Sequence, residues 1–389
     1  MDLGYHLRRK QSEAGRGAPK RVVIVGVVTG AREKWELDDH LNELSSLVEA
    51  VGAVTVSRVC QSRPKYDPST LIGSGKVEEL GALAATHQAD LVVFDDPLSP
   101  AQQRNLTDRL GVWVIDRTQL ILDIFAQNAS SGEGRLQVEL AQLDYLMPRL
   151  VGMWEHLERQ RGGIGLRGPG ETQLEVDRRR VRSRIDTLKR QLVRVKRSRD
   201  IQSIRRRRTY LPRVSLVGYT NSGKSSLFQR LTGEGVAISY QPFSTLDPRV
   251  RNVQLPGNHA CFMTDTVGFI RKIPHQLVQA FHATLRDISD SDLLLHVQDI
   301  THPMIEERRE TVDQVLRDIG AANIPRLMVF NKADQLEAET CELLANRIAE
   351  EGAVLISAKT GFGIDGFRHC LAERVLPMMA ERRDVRSVG

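Results

Sequence analysis

The sequence predicts an α/β protein in three parts: a small parallel-sheet N-terminal domain, an antiparallel coiled-coil helical hairpin, and a second α/β domain. Three observations carry this expectation. Apolar runs alternate with helical patterns over residues 21–130, and the same rhythm returns from Arg213 to about residue 380. Between these stretches the apolar spacing switches to a heptad, twice, with a glycine-rich segment in the middle. Finally, Gly218-Tyr219-Thr220-Asn221-Ser222-Gly223-Lys224-Ser225 lies between the strand-like run Val214–Val217 and a helical pattern that opens Ser226-Leu227-Phe228. Strand, G-x-x-x-x-G-K-S, helix is the setting of a phosphate-binding loop.

A chain of 389 residues holds two or three domains of ordinary size. No apolar stretch reaches the length of a membrane span, and the polar, basic N-terminus lacks the apolar core of a signal peptide. The expected compartment is therefore the cytoplasm. Cys60, Cys261, Cys341 and Cys370 are far apart with no C-x-x-C pair, so neither a zinc site nor a disulfide framework is indicated; buried free thiols are expected. Charge is strongly segregated. Residues 178–208 carry fifteen Arg and Lys against Asp186 and Asp200, about +13 in a chain of net charge +6, which leaves the remainder near −7. Such segregation points to a polyanionic partner met on one face.

The elements follow in order. Residues 1–20 lack apolar periodicity and are expected to be flexible. In the N-terminal domain, 21–130, Arg21–Val28 reads as a strand. Leu37, Leu41, Leu44 and Val48 form the stripe of an amphipathic helix. Val54–Val59 is a second strand, Lys76–Thr86 a helix and Leu91–Phe94 a strand; Ser99-Pro100 is the N-cap and first residue of a helix running to Leu110, and Val112–Ile115 is a strand. Gly73-Ser74-Gly75-Lys76 begins a helix but lacks a full phosphate loop, so a helix-capping turn or an RNA phosphate contact is the expected reading.

The hairpin is expected over residues 131–208. Leu136, Leu140, Leu143, Met147, Leu150, Trp154 and Leu157 are spaced 4-3-4-3-4-3, and Leu174, Arg178, Val181, Ile185, Leu188, Leu192 and Val195 repeat that spacing. Pro148 is expected to bend the first helix. A second helix of about 30 residues would be roughly 45 Å long. Five glycines and two arginines in Arg161–Gly170 suit a mobile tip that approaches RNA, with a plain connector as the alternative.

The nucleotide-binding domain, 209–380, repeats the strand rhythm at Val214–Val217, Cys261–Met263, Leu293–Val297, Arg326–Phe330 and Ala353–Ile356, ahead of a short tail at 381–389. Gly218 to Ser225, with Ser226 following, would cradle phosphates on backbone N–H groups; Lys224 would reach the β- and γ-phosphates, and the Ser225 hydroxyl would sit on Mg²⁺. Asp265-Thr266-Val267-Gly268 follows a strand, where Asp265 can hold Mg²⁺ through water and the Gly268 N–H can meet a γ-phosphate. Asn331-Lys332-Ala333-Asp334 follows another strand. A carboxylate at Asp334 accepts from guanine N1–H and the 2-amino group together, a donor pair adenine lacks. Ser357-Ala358-Lys359 suits a contact from backbone N–H to guanine O6.

These four motifs, in this order at strand ends, resemble the translation-factor-related GTPases, which implies a Ras-like P-loop GTPase domain with GTP as substrate, GDP as product and Mg²⁺ as cofactor. That resemblance assigns to Thr245 the switch threonine that coordinates Mg²⁺ only beside a γ-phosphate, with Ser244 as the alternative. Phe269 stands where many small GTPases carry a water-orienting Gln. Phe has no hydrogen-bonding side-chain group, so intrinsic turnover should be slow and completed by a partner, unless another local side chain substitutes.

Longer runs are more specific. Asp265-Thr266-Val267-Gly268-Phe269-Ile270-Arg271 with Pro274-His275 resembles the HflX family, as do residues 161–179, residues 95–103 and residues 116–125. This resemblance covers about residues 21–375. It implies ribosome-stimulated GTP hydrolysis on the large ribosomal subunit and its ribosomal RNA, with splitting or rescue of stalled ribosomes. Lys224, Thr245 and Gly268 would carry the catalysis, and the protein would be a monomer when free. Some family members are reported to act on ATP through the N-terminal half. A GTP-switched RNA-remodelling or ribosome-assembly factor is the alternative. The short tail cannot form the extra C-terminal domain that some members carry.

Overall fold

The computed structural model describes residues 19–29, 34–150, 173–207, 211–233, 242–243, 245, 248–272 and 287–387. They group into two compact units, one taking in residues up to Ala129 with Arg135–Leu192, the other Ser130–Gly134 with Val193 onward.

In the first unit, β1 (Arg21–Thr29), β2 (Val54–Arg63), β3 (Leu91–Phe94) and β4 (Trp113–Asp116) form a parallel sheet in the order β2-β1-β3-β4. Parallel strands need crossovers, and helices supply them: α1 (Lys34–Ala50), α2 (Ser74–Thr86) and α3 (Pro100–Leu110). The α1 stripe is buried as its spacing predicts, with Leu37, Leu41, Leu44 and Val48 all under 7% exposed. Val23, Val25, Val92, Phe94 and Val114 pack with Leu80 and Leu106 of α2 and α3 in one core. Ser99 caps α3 in a reciprocal capping box with Gln102. Gly73 precedes α2 without a side-chain cap, and Lys76 Nζ pairs with Glu79, 2.7 Å away, so this turn is a helix start with a surface ion pair.

Two features differ from expectation. A further helix, α4 (Arg117–Asn128), starts from Asp116, whose side chain accepts the Gln119 N–H. Its residues Arg117–Phe125 are all buried, so no polar face produces an amphipathic period. Cys60 is exposed rather than buried, because it alternates with the core residue Val59 along the edge strand β2; Cys261 and Cys341 are buried and Cys370 is intermediate.

The heptad stretches form α5 (Gly132–Leu146), closed by a 3₁₀ turn at Met147–Arg149 that contains Pro148, and α6 (Gln173–Arg207). Helix α6 is 35 residues long, about 52 Å at 1.5 Å per residue. Leu143, Ile185 and Leu188 pack with Leu136, Leu140, Met147 and Val181, and Arg184 makes a two-pronged bond to Glu139 at 2.7 and 2.8 Å. Trp154, Leu157 and the glycine-rich segment Arg161–Gly170 lie outside the described residues.

The second unit holds β5 (Arg213–Val217), α7 (Lys224–Thr232), β6 (Arg249–Leu255), β7 (His259–Asp265), β8 (Leu293–Asp299), α8 (Ile305–Asp318), β9 (Arg326–Asn331), α9 (Ala338–Glu350), β10 (Val354–Leu355) and α10 (Ile364–Ser387). The sheet order is β10-β9-β8-β5-β7-β6, parallel except for β6 against β7. Strand β6 was not anticipated: only Val253 and Leu255 of its seven residues are buried, which is too sparse an alternation to read. Leu216, Met263, Leu295 and Val329 of the sheet pack with Leu227 and Phe228 of α7 and Phe367 and Leu371 of α10. The strand order reverses at β5, with β6 and β7 added on one side of it and β8, β9 and β10 on the other, so the carboxyl ends of the strands open a crevice where doubly wound sheets take their ligands. Among the described residues, no helix is long and apolar enough to cross a membrane.

Candidate functional site

The four motifs from Gly218, Asp265, Asn331 and Ser357 lie at strands' carboxyl ends. The phosphate loop leaves β5, Asp265 ends β7, Asn331 ends β9, and Ser357 follows β10. The loop is shaped by local chemistry. Asn221 and Gly223 take positive φ, 60° and 93°, and a Cβ at Gly223 would stand 2.0 Å from Asn331 Nδ2, so only glycine fits there. Gly223 then caps α7, whose first residue is Lys224. Burial pushes the Lys224 ammonium pKa down to about 8, against the pull of Asp265. Its Nζ donates to Gly218 O at 3.1 Å and Tyr219 O at 2.8 Å.

Beside it runs a row of oxygens. Ser225 Oγ lies 3.0 Å from Thr245 Oγ1, which donates to Asp265 Oδ2 at 3.0 Å. Burial raises the Asp265 carboxyl above the ordinary range, opposed by Ser225, Lys224 and Thr245. Its Oδ1 is buried without a hydrogen-bond partner, as is Ser222 Oγ. Hard oxygen donors around an unsatisfied buried carboxylate oxygen fit Mg²⁺. Thr266 Oγ1 is tied to Leu216 O at 2.5 Å, and Val267 is buried. A Cβ at Gly268 would stand 2.9 Å from both Lys224 Nζ and Thr220 Cα, so a bare backbone permits this approach to the phosphate loop. The next residue closes it: Phe269 N donates to Gly218 O at 3.0 Å and Thr220 N to Phe269 O at 2.7 Å. The Phe269 ring is 1% exposed and packs into the domain.

Asn331 joins the two ends of the crevice. Its Nδ2 donates to Ser222 O and its Oδ1 accepts the Ala358 N–H, both at 2.9 Å. Lys332 Nζ pairs with Asp299 at 2.7 Å. Asp334 is exposed, and its Oδ1 accepts from Ser357 Oγ at 2.6 Å, which fixes the carboxylate. One detail departs from expectation: the Ala358 N–H is already given to Asn331, which leaves the exposed Lys359 to offer a backbone N–H. Ser226 sits on α7, half-buried, one residue beyond the phosphate loop. Ser244 lies outside the described residues.

Three family profiles tile the chain: "GTP-binding GTPase N-terminal" over 38–126, "GTP-binding GTPase Middle Region" over 128–207 and "50S ribosome-binding GTPase" over 213–332. GTPase HflX of Caldanaerobacter subterraneus subsp. tengcongensis is 44% identical over 346 residues, 89% of this chain and 78% of that protein. GTPase HflX of Escherichia coli is 46% identical over 343 residues, 88% and 80% of the two chains. The chain belongs to the HflX GTPase family. It is a GTP-hydrolysing enzyme that binds guanine nucleotide. Among solved structures, SsGBP in complex with GDP is similar, with a TM-score of 0.51 and 25% identity, covering 92% of this chain and 99% of that one.

Several HflX residues that shape the crevice escaped sequence reasoning. The sequence shows Tyr219 in the phosphate loop but not the role of its side chain: its hydroxyl accepts the Arg271 N–H at 2.9 Å and the Arg308 guanidinium lies over its ring at 4.6 Å. Asp299, which orients Lys332, had a readable signal as an acid ending the apolar run Leu293–Val297. Arg230, which reaches the Ser357–Lys359 segment from α7, had none.

Proposed function

We propose that this HflX GTPase works as a nucleotide switch on the large ribosomal subunit, in the cytoplasm, with hydrolysis completed by ribosome contact. The observation that carries the reading is the Ser225–Thr245–Asp265 row beside a buried Lys224. Ser225 and Thr245 would hold Mg²⁺ directly and Asp265 through water; the ion would neutralise charge on the β- and γ-phosphate oxygens. Lys224 would exchange the carbonyls of Gly218 and Tyr219 for phosphate oxygens, which restores a counter-charge to a desolvated ammonium. Gly268 would offer its N–H to the γ-phosphate, beside Lys224 and above Thr220. Asn331 and Lys332 would flank the base while Asp334 accepts from guanine N1–H and the 2-amino group, and the Lys359 N–H would face O6, the Ala358 N–H being held by Asn331. Hydrolysis adds water to the γ-phosphorus and breaks its bond to the β–γ bridging oxygen, giving GDP and phosphate. Phe269 has no group to position that water, so a partner must.

Ribosomal RNA is the polyanion that best fits α6, where Arg179, Arg180, Arg182 and Arg190 are exposed. The family description "50S ribosome-binding GTPase" supports the same partner. Turnover should rise several-fold on adding purified large subunits at low salt and fall back as salt screens the contact. No stimulation at low salt would sink the proposal. Sedimentation of intact ribosomes with a non-hydrolysable GTP analogue separates its two forms: conversion to subunits supports splitting, and binding without conversion supports a remodelling or assembly factor.

A further inference from the structure

Guanine and adenine differ at position 6, where guanine carries an acceptor oxygen and adenine a donor amino group. A backbone N–H facing that position selects guanine, and a carbonyl selects adenine. The orientation of one peptide plane therefore bears on base choice. In the segment that follows β10, the N–H groups can be accounted for one by one. Ala358 N donates to Asn331 Oδ1 at 2.9 Å, Thr360 N to Ser357 Oγ at 3.1 Å, and Gly361 N to Ser357 O at 2.8 Å. These bonds leave the Lys359 N–H for a ligand.

That N–H shares its peptide plane with the Ala358 carbonyl, and in a trans peptide the two point in opposite directions. Whatever holds the Ala358 oxygen therefore aims the Lys359 N–H. The holder is Arg230 on α7. Its Nε donates to Ala358 O at 2.8 Å, and its Nη2 donates to Lys359 O. A guanidinium offers two donors in a rigid fork, so consecutive carbonyls are drawn to the same side together. Arg230 belongs to the helix that begins with Lys224, so the element that starts at the phosphate loop also grips the base-reading segment.

We propose that Arg230 is a positioning residue for guanine selection: by drawing the Ala358 and Lys359 carbonyls away from the base, it turns the Lys359 N–H toward O6. The inference rests on the reading of Ser357–Lys359 as the base-binding segment. Without the fork the plane is free to rotate, and a carbonyl can take the place of the N–H. One neutral hydrogen bond to the ligand is at stake, roughly a two- to tenfold change in affinity.

The test is competition of nucleotides against a fluorescent GDP on the full-length protein, for wild type, Arg230→Ala and Arg230→Lys. The competitors are GDP, IDP, which keeps O6 but lacks the 2-amino group, and 2-aminopurine riboside diphosphate, which lacks O6. Arg230→Ala should weaken GDP and IDP by the same factor and leave the 2-aminopurine nucleotide unchanged. Arg230→Lys should fall between, since one ammonium cannot hold both carbonyls, and it decides the matter alone if the alanine variant does not fold. A loss shared by all three nucleotides, or none for GDP, overturns the role of Arg230. Failure of the underlying reading looks different: wild type would not prefer GDP to ADP, and Asp334→Asn would leave the GDP-to-IDP ratio unchanged.

Discussion

Asn331→Ala tests whether one amide joins the phosphate and base ends of the crevice. Asn331 is 3% exposed and makes two bonds of 2.9 Å, donating to Ser222 O and accepting from Ala358 N. Truncation leaves both backbone groups buried without a partner. Each orphaned group costs about 1–3 kcal/mol, so the nucleotide-free domain should lose about 2–6 kcal/mol of a total on the order of 5–15 kcal/mol. At about 2–4 °C per kcal/mol for a domain of this size, that lowers its melting temperature by roughly 4–24 °C. Calorimetry reads this directly. Tryptophan fluorescence does not, because Trp35, Trp113 and Trp154 all precede the GTPase domain. GDP affinity should fall by roughly tenfold or more, since both ends of the ligand lose a fixed wall. Asn331→Asp separates the two bonds: its carboxylate can still accept from Ala358 N but meets Ser222 O as a second acceptor. A shift below about 2 °C with unchanged GDP affinity would refute the reasoning.

Other consequences follow from buried charge and thiol chemistry. Burial lowers the His296 pKa to about 4, helped by Arg326, Arg309 and Lys224 and opposed by Asp313. The unfolded chain therefore binds the extra proton between pH 6.5 and 4, and the GTPase domain should lose up to about 3 kcal/mol as pH falls through that window. His296→Gln should flatten this part of the calorimetric pH profile, and an unaltered slope would count against it. Arg117 bridges Glu43 at 2.8 Å and Asp95 at 2.6 Å in the buried core of the first unit. Arg117→Met removes the cation between two buried carboxylates and should destabilise that unit by about 3–5 kcal/mol, read by tryptophan fluorescence, with GDP affinity unchanged; wild-type stability would contradict it. A thiol reagent at pH 8 should label Cys60 first. Cys261, its pKa pushed up to about 12 by burial, should react only on unfolding, and early labelling of Cys261 would contradict its burial.

The site was more legible than the frame around it. The candidate phosphate and base contacts fall on short runs beside strands, so the positions of Gly218–Ser225, Asp265–Gly268, Asn331–Asp334 and Ser357–Lys359 at strand ends could be read from the sequence. Periodic elements were equally plain where one face meets water, as in α1. Helix α4 was missed because all of Arg117–Phe125 is buried and no period survives. Strand β6 was missed for the opposite reason, being mostly exposed. Contacts such as Arg230 to Ala358, 128 residues apart, leave no local trace, because only the folded sheet brings them together.

Phe269 has both backbone groups committed to the phosphate loop and its ring sealed in the interior. A glutamine introduced there would not arrive at the γ-phosphate. It would carry an amide into a buried position, where a polar group left unmatched costs about 1–3 kcal/mol. If hydrolysis is completed by a partner as proposed, one substitution would not make the domain self-sufficient: the backbone that shapes the loop after β5 also keeps this position from evolving into an internal timer.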